Sequence, residues 1–352
     1  MKQILDYSAV IRPELEAFIK SKISGGGQLT PWKADFLNRL LPYATAGKLL
    51  RASLVCFSYE AFSGQRVNNP VIKAAMALEL THSALLIHDD IMDNDDLRRG
   101  QPSLHRQYQS LATGEKLADA DHFGTSMAIC GGDAALFLAF ELLASCQAAP
   151  QVQATVQQLF VNQLVTTCAG QMQDLYLEAR PDMPSKKAIH ELMQTKTASY
   201  SLSLPMAIGA ALAGQTAATL TKLQNIGISA GTIFQIRDDE LGIMGKADEI
   251  GKPVGSDITE GKKTLVYYYL LRNCSASEYE KAKAIFGNPI ATPEDIEYIQ
   301  KLVKRHKIPQ LLNNEVSRLE KAAIKHINGL SVSIKNKAEF KELVRFCGNR
   351  SL

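Results

Sequence analysis

The chain has 352 residues, 46% of them hydrophobic and 21% charged, with a net charge of +3. That balance describes a globular protein with a large core, and so small a net charge gives no argument for nucleic acid or an anionic membrane as partner, so no nucleic-acid partner is expected. Six cysteines without a C-x-x-C pair indicate neither a zinc site nor a disulfide framework, so a reducing, cytoplasmic setting is expected.

Residues 1–20 interleave Lys2, Asp6, Arg12, Glu14, Glu16 and Lys20 with apolar positions, unlike a signal peptide, so no targeting segment is expected. Helical periodicity dominates from there on, and strand-like alternation is nearly absent. After the break at Gly25-Gly26-Gly27, a helix is expected over 30–62; Lys48 and Arg51, spaced i,i+3, would project from one of its faces. Asn69-Pro70 then signals a helix start, a capping side chain followed by proline in the first turn. From it one stripe runs Val71, Ala75, Leu78, His82, Leu85, Asp89, Asp93. It is apolar for most of its length and then turns acidic, as the wall of an apolar pocket with a metal-binding mouth would.

Further helices are expected over 126–147, 151–179, 186–213, 216–243, 259–272, 276–286, 293–305 and 308–328. The most apolar of these, Ser126 to Cys146, carries Asp133 and Glu141 and reads as a core helix, so no transmembrane segment is expected. The breaks at Gly100-Gln101-Pro102, Pro181 to Pro184, Gly245 to Gly255 and Asn288-Pro289 are short, and no repeat of fixed period appears. The economical reading is one all-α domain over 1–352, a single large helical bundle.

The richest stretch is His88 to Gly100, where Asp89, Asp90, Asp93, Asp95 and Asp96 fall within eight residues and Arg98-Arg99 follow. A solvated acidic face is the ordinary reading of such a run. Here it grows out of the apolar Ala84-Leu85-Leu86-Ile87, and on a helix Asp89 and Asp93 would share one face. Carboxylates so close favour a doubly charged ion, and hard oxygen ligands completed by water and phosphate describe Mg²⁺. The arginines could grip the same phosphates as bidentate forks. An echo stands far downstream in Gln235-Ile236-Arg237-Asp238-Asp239, again closing an apolar helical stretch. Two such clusters brought to face each other could hold several metal ions around one diphosphate. Further cations stand at Lys196-Thr197 and in the glycine-rich segment Gly251-Lys252 to Gly261-Lys262-Lys263-Thr264.

With these motifs in this order the chain resembles the trans-prenyl diphosphate synthases, the polyprenyl synthetase family. The motifs are Gly47-Lys48-x-x-Arg51, His82, Asp89-Asp90-x-x-Asp93 with Arg98-Arg99-Gly100, His122-Phe123-Gly124, Gly132-Asp133, Gly170-Gln171-x-x-Asp174, Lys196-Thr197, Gln235-x-x-Asp238-Asp239 and Gly251-Lys252 to Lys262. The resemblance implies an isoprenoid-synthase bundle around a central apolar cavity with two facing Asp-rich motifs, working as a homodimer. It implies Mg²⁺, three ions, on Asp89, Asp93 and Asp238, with Asp90 and Asp239 as further ligands. It places isopentenyl diphosphate on Lys48, Arg51, His82 and Arg99. The allylic diphosphate falls to Arg98, Lys196, Thr197, Gln235, Lys252 and Lys262, with Lys196, Thr197 and Gln235 nearest the chemistry. Ionisation leaves an allylic cation, the double bond of isopentenyl diphosphate attacks it, and a proton leaves to pyrophosphate, which explains why no general base is evident. The second motif departs from the family pattern, with Gly242 where an aspartate is usual.

In this family, bulk just upstream of the first motif limits product length. Ala84, five residues before Asp89 and roughly 7 Å up a helix at ~1.5 Å per residue, leaves room, while Thr81 and Leu85 would set a deeper floor. The expected product is geranylgeranyl diphosphate or somewhat longer. A class I terpene cyclase or a non-catalytic subunit of a heteromeric synthase are the alternatives. The first needs no isopentenyl diphosphate site, and the second would have lost aspartates or lysines that are present here.

Overall fold

A computed structural model describes residues 1–24, 31–245 and 255–349. In chain order it runs α1 (Lys2–Leu5), α2 (Ser8–Ser24), α3 (Pro31–Thr45), α4 (Leu50–Ser63) and α5 (Asn69–Met92). The two-residue strands β1 (Leu97–Arg98) and β2 (Gln101–Pro102) follow, then α6 (Leu104–Gly114), α7 (Ala120–Ala144) and α8 (Pro150–Ala179). Next come α9 (Lys186–Leu192), a π-helical stretch (Met193–Ser203), α10 (Leu204–Leu212) and α11 (Ala217–Met244). The chain closes with α12 (Ser256–Thr259), α13 (Leu265–Asn273), α14 (Ala276–Ile285), α15 (Pro293–Arg305), α16 (Ile308–Asn328) and α17 (Ile334–Gly348). Many of these starts are capped by side chains. Thr216, Thr264 and Ser333 accept backbone N–H bonds, and Ser275 with Glu278 and Thr292 with Asp295 form capping boxes.

Contacts gather the chain into two compact units. The first comprises Met1–Gln157 with Ile208–Gln215, and the second Gln158–Ala207 with Thr216–Leu352. In the first, α5 is the central helix, capped by Asn68 rather than Asn69, with Pro70 in its first turn. Its stripe changes character as the sequence suggests: Val71, Ala75 and Leu78 are buried, while His82, Leu85, Asp89 and Asp93 are half-exposed. Small residues on α7 let it lie close to α5 and α6: a side chain at Gly132 would run into the His88 ring, and one at Gly131 would come within 2.9 Å of Leu104.

The helix expected over 30–62 is two helices. Gly47 and Leu49 take left-handed backbone angles (φ 80° and 47°), so Ala46 to Leu49 form a loop between α3 and α4. Lys48 therefore stands in that loop, and the shared helix face expected for Lys48 and Arg51 does not form. The sequence reading also passed over α1, α2, α6, α17 and the small hairpin. In the hairpin, Arg98 pairs with Gln101 and both Arg99 (φ 53°) and Gly100 (φ 75°) are left-handed, the signature of a type I′ turn.

In the second unit, α11 runs against the π-helical stretch. Gly231 allows this, since a Cβ there would lie 2.5 Å from Ala198 Cα. The stretch expected over 186–213 is helical from Lys186 to Leu212, but its middle is wound as a π-helix, a form that in proteins tends to mark functional segments. On α16, Leu312, Val316, Leu319, Ala323 and Ile327 make a buried stripe at helical spacing.

Glu315 of α16, 8% exposed, joins several elements of this unit: it accepts from Lys186, from Tyr269 at 2.9 Å and from Arg318 at 3.1 Å. Those bonds outweigh burial and hold its carboxyl down to about 2. A depressed carboxyl pKa contributes stability above its unfolded value that is lost as pH falls. Glu315→Gln should lower the melting temperature at pH 7, and the gap to wild type should narrow progressively below about pH 4.5. Equal gaps at pH 7 and pH 3 in a thermal melt would show that the network does not act through this charge.

Candidate active site

The first acidic end closes α5. Asp93 caps it, its N–H donating to the Asp89 carbonyl at 2.8 Å, and the side chains of Asp89 and Asp93 remain half-exposed. Asp90 is different. It is fully buried, and its carboxylate accepts from Arg98 Nε at 2.6 Å, from Arg98 Nη2 and from the Tyr43 hydroxyl. Burial raises the Asp90 pKa while Arg98 pulls it back. Asp90 was expected as a further metal ligand; both its oxygens are instead engaged by protein groups. Arg98, expected on the allylic diphosphate, is committed to Asp90 and to Asp95 at 3.1 Å, and lies 4.0 Å from Asp89. Helix and hairpin are thus tied together by one internal ion pair.

Beside it stands a group of cations. Arg51 lies in the first turn of α4 and Arg99 at the hairpin tip, where its guanidinium lies 3.4 Å from where a Gly47 side chain would begin. Gly47's carbonyl is held by Arg12 at 2.8 Å. Burial depresses the Arg99 pKa, and Arg51 and Arg98 add repulsion. His82 is held well below the usual imidazole range by burial and then by Arg51, Arg99 and Arg98, so it is neutral at pH 7. Glu79, 4% exposed, offsets part of this charge, its carboxylate accepting the Ala52 N–H at 2.9 Å. Lys48 is exposed on the adjoining loop. Crowded guanidiniums beside a neutral imidazole suit a polyanion such as diphosphate.

The second unit holds the other motif. Asp238 is half-exposed; Asp239 is 7% exposed and accepts from Gln235 Nε2 at 2.7 Å. Burial, followed by the charge of Asp257, pushes Asp239 up to about 8. Lys196, on the π-helical stretch, meets Asp174 at 2.5 Å; Gly170 permits this, since a side chain there would lie 2.6 Å from the Lys196 nitrogen of the main chain. Thr197 is half-buried, and Lys262 pairs with Glu260 at 2.9 Å. Lys252 lies outside the described residues. Of the expected length-determining residues, Ala84 (2% exposed) and Thr81 (1%) are buried, whereas Leu85 is half-buried.

Asp89 and Asp93, four residues apart at the end of α5, and Asp238 on α11 reach solvent, and outward carboxylates of this kind fit a hard divalent cation that retains water and phosphate oxygens, as Mg²⁺ does. Sequence reasoning missed Tyr43 and Glu79. Tyr43 carries no local signal, but Glu79 is a lone carboxylate inside the apolar run Ala77-Leu78-Glu79-Leu80, and such a residue requires a partner.

These features define an all-α isoprenoid-synthase fold, and comparison with known proteins agrees. A Polyprenyl synthetase family model matches residues 34–303. Geranylgeranyl diphosphate synthases of Sulfolobus acidocaldarius and Saccharolobus solfataricus are 30% and 31% identical, over 82% and 83% of both chains. Among solved structures, geranylgeranyl pyrophosphate synthase of Corynebacterium glutamicum, complexed with isoprenyl diphosphate and magnesium, superposes with a TM-score of 0.92 at 27% identity, covering 98% of this chain and 99% of that one. The chain belongs to the polyprenyl synthetase family and is a prenyltransferase.

The two kinds of aspartate should separate on mutation. Asp90→Asn takes from Arg98 its buried charge partner and leaves it Asp95, and should cost roughly 2 kcal/mol of stability. Asp93→Asn should leave the melting curve nearly unchanged while abolishing most turnover. Equal stability losses in denaturant melts of the two variants would refute the division.

Proposed function

We propose that the chain condenses isopentenyl diphosphate with an allylic diphosphate (dimethylallyl, geranyl or farnesyl) to an all-trans product of geranylgeranyl length or somewhat longer. The observation that carries this is the pair of guanidiniums, Arg51 and Arg99, beside the neutral His82 and alongside Asp89 and Asp93, which supplies a second anion site that a cyclase does not need. The names of the relatives support it, among them geranylgeranyl diphosphate synthases and a geranylfarnesyl diphosphate synthase of Natronomonas pharaonis, 36% identical over 56% of this chain. A non-catalytic subunit fits poorly with acidic motifs that keep Asp89, Asp93 and Asp238.

In this reading Asp89, Asp93 and Asp238 hold Mg²⁺, three ions in all, with Asp239 beside Asp238. Mg²⁺ held there would supply the positive charge that neutralises the allylic diphosphate as a leaving group. Lys48, Arg51, His82 and Arg99 orient isopentenyl diphosphate so that its double bond meets the allylic carbon. Lys196, Thr197 and Gln235 line the reacting end, with Lys252 and Lys262 on the allylic diphosphate. Asp174 fixes the Lys196 ammonium, and Gln235 is anchored through Asp239. Arg98 acts on position, keeping Asp90 inside so that Asp89 and Asp93 remain outside. As the new carbon–carbon bond forms, the proton lost from isopentenyl diphosphate passes to the departing pyrophosphate.

We also read the chain as a homodimer. On α7, Ile129 (43%), Phe137 (69%) and Phe140 (38%) are exposed along one side of an apolar helix, a face suited to a second copy. Two described helices, α5 and α7, are long and apolar enough to cross a membrane by length and composition, but α5 is mostly buried by the fold. Phe137→Glu should shift the sedimentation coefficient to the monomer value; an unchanged dimer would place the contact elsewhere.

Labelled isopentenyl diphosphate, given with each allylic diphosphate and Mg²⁺, should be incorporated into C20 or longer product, and excess EDTA should stop it. Ala84→Phe should shorten that product. No incorporation by the purified chain would refute the reading, and a released hydrocarbon would favour cyclisation.

A further inference from the structure

A cluster of metal-ligating side chains lies outside both acidic motifs, where three helix ends of the second unit meet. Cys274 closes α13, Glu278 stands in the first turn of α14, and His306 closes α15. One ligand atom from each, a thiol sulfur, a carboxylate oxygen and an imidazole nitrogen, lies within 4.8 Å of the other two. All three residues are half-buried, with 15% of the Glu278 side chain and 19% of the His306 side chain exposed. No paired-cysteine motif marks this set, because its third donor comes from 28 residues beyond Glu278. Glu278 belongs to a capping box, its Oε2 accepting the Ser275 N–H at 2.9 Å and the Ser275 hydroxyl at 3.0 Å. Its Oε1 accepts from Arg305 at 2.7 Å. The bonds from Ser275, then those from Arg305 and His306, hold this carboxyl down to about 2, so it is an anion at pH 7. His306 Nε2 stands 3.1 Å from Oε2. The Cys274 thiol is pushed up by burial and then by the Glu278 charge, which makes it a poor nucleophile.

Thiolate, imidazole and carboxylate are the donor types of zinc, and three protein ligands with water in the fourth position make a tetrahedral site. Ligand atoms around zinc, at bonds of about 2.0–2.3 Å, lie roughly 3.5 Å apart, so small side-chain rotations close this set. We propose that Cys274, Glu278 and His306 form a Zn²⁺ site that pins the ends of α13, α14 and α15 together. On binding, the ion displaces the thiol proton to solvent and replaces the His306–Glu278 hydrogen bond, the imidazole binding through Nε2 with its proton on Nδ1. One dication, one thiolate and one carboxylate sum to zero charge, which suits a half-buried place. The bonds from Ser275 and from the solvent-exposed Arg305 remain as outer partners that orient the carboxylate. The site is independent of the Mg²⁺–diphosphate reading, since none of its residues belongs to either acidic motif.

The test titrates the metal-free full chain, in excess Mg²⁺, with Zn²⁺ by calorimetry and melting temperature and with Co²⁺ by absorption. Wild type should gain melting temperature with Zn²⁺ and show the thiolate-to-Co²⁺ charge-transfer band, which carboxylates of the acidic motifs cannot give. Cys274→Ser should melt like wild type without metal, lose the band and lose the Zn²⁺-dependent rise, with Mg²⁺-dependent turnover unchanged. His306→Gln should weaken Zn²⁺ by more than about tenfold, the least that losing even an outer partner costs. Cys130→Ser and Cys168→Ser, which remove exposed thiols, should keep both signals. No charge-transfer band in wild type, or a band and Zn²⁺ midpoint that survive in Cys274→Ser or in His306→Gln, would overturn the inference.

Discussion

Both acidic motifs lie near helix C-termini, where peptide dipoles already concentrate partial negative charge. Asp89 occupies the last turn of α5 and Asp93 caps it, while Asp238 and Asp239 lie about two turns from the end of α11. In the last turn of α5 that works against helix stability, and at both motifs several carboxylates together add mutual repulsion. Each end must therefore be compensated by cations, and how each is compensated determines what remains for function.

At the end of α5 the compensation is internal for one carboxylate. Arg98 and Tyr43 take up Asp90, so that aspartate becomes structural and its neighbours stay outward. The hairpin that delivers Arg98 also delivers Arg99, one residue on and in left-handed conformation, to the cations around His82. One two-residue turn thus separates the tasks of adjacent arginines. At the end of α11 the cation beside Asp239 is Lys262 rather than an arginine. Gln235 donates to Asp239, Asp257 repels it, and burial pushes its proton affinity upward.

Much of this was legible in the sequence because it is periodic or local. The helices 293–305 and 308–328 match their expected limits, and the stripe from Val71 to Asp93 changes from buried to half-exposed as its composition suggests. What was not legible depended on contacts distant in sequence. Asp90 reads like Asp89 until Tyr43 and Arg98 are seen to hold it. The loop at Ala46 to Leu49 depends on a left-handed Leu49, a conformation that no residue-type preference predicts. Gly242 departs from the family pattern, and the space a side chain there would need is taken by Asp257.

The central proposal is that Asp89 and Asp93 stand outward for a metal–diphosphate complex while Asp90 is held inside by Arg98. A crystal structure grown with Mg²⁺ and a non-ionising allylic thiodiphosphate tests it most directly. The account predicts metal density on Asp89 and Asp93, with Asp90 still paired with Arg98. Metal bound by Asp90, or none at Asp89 and Asp93, would contradict it.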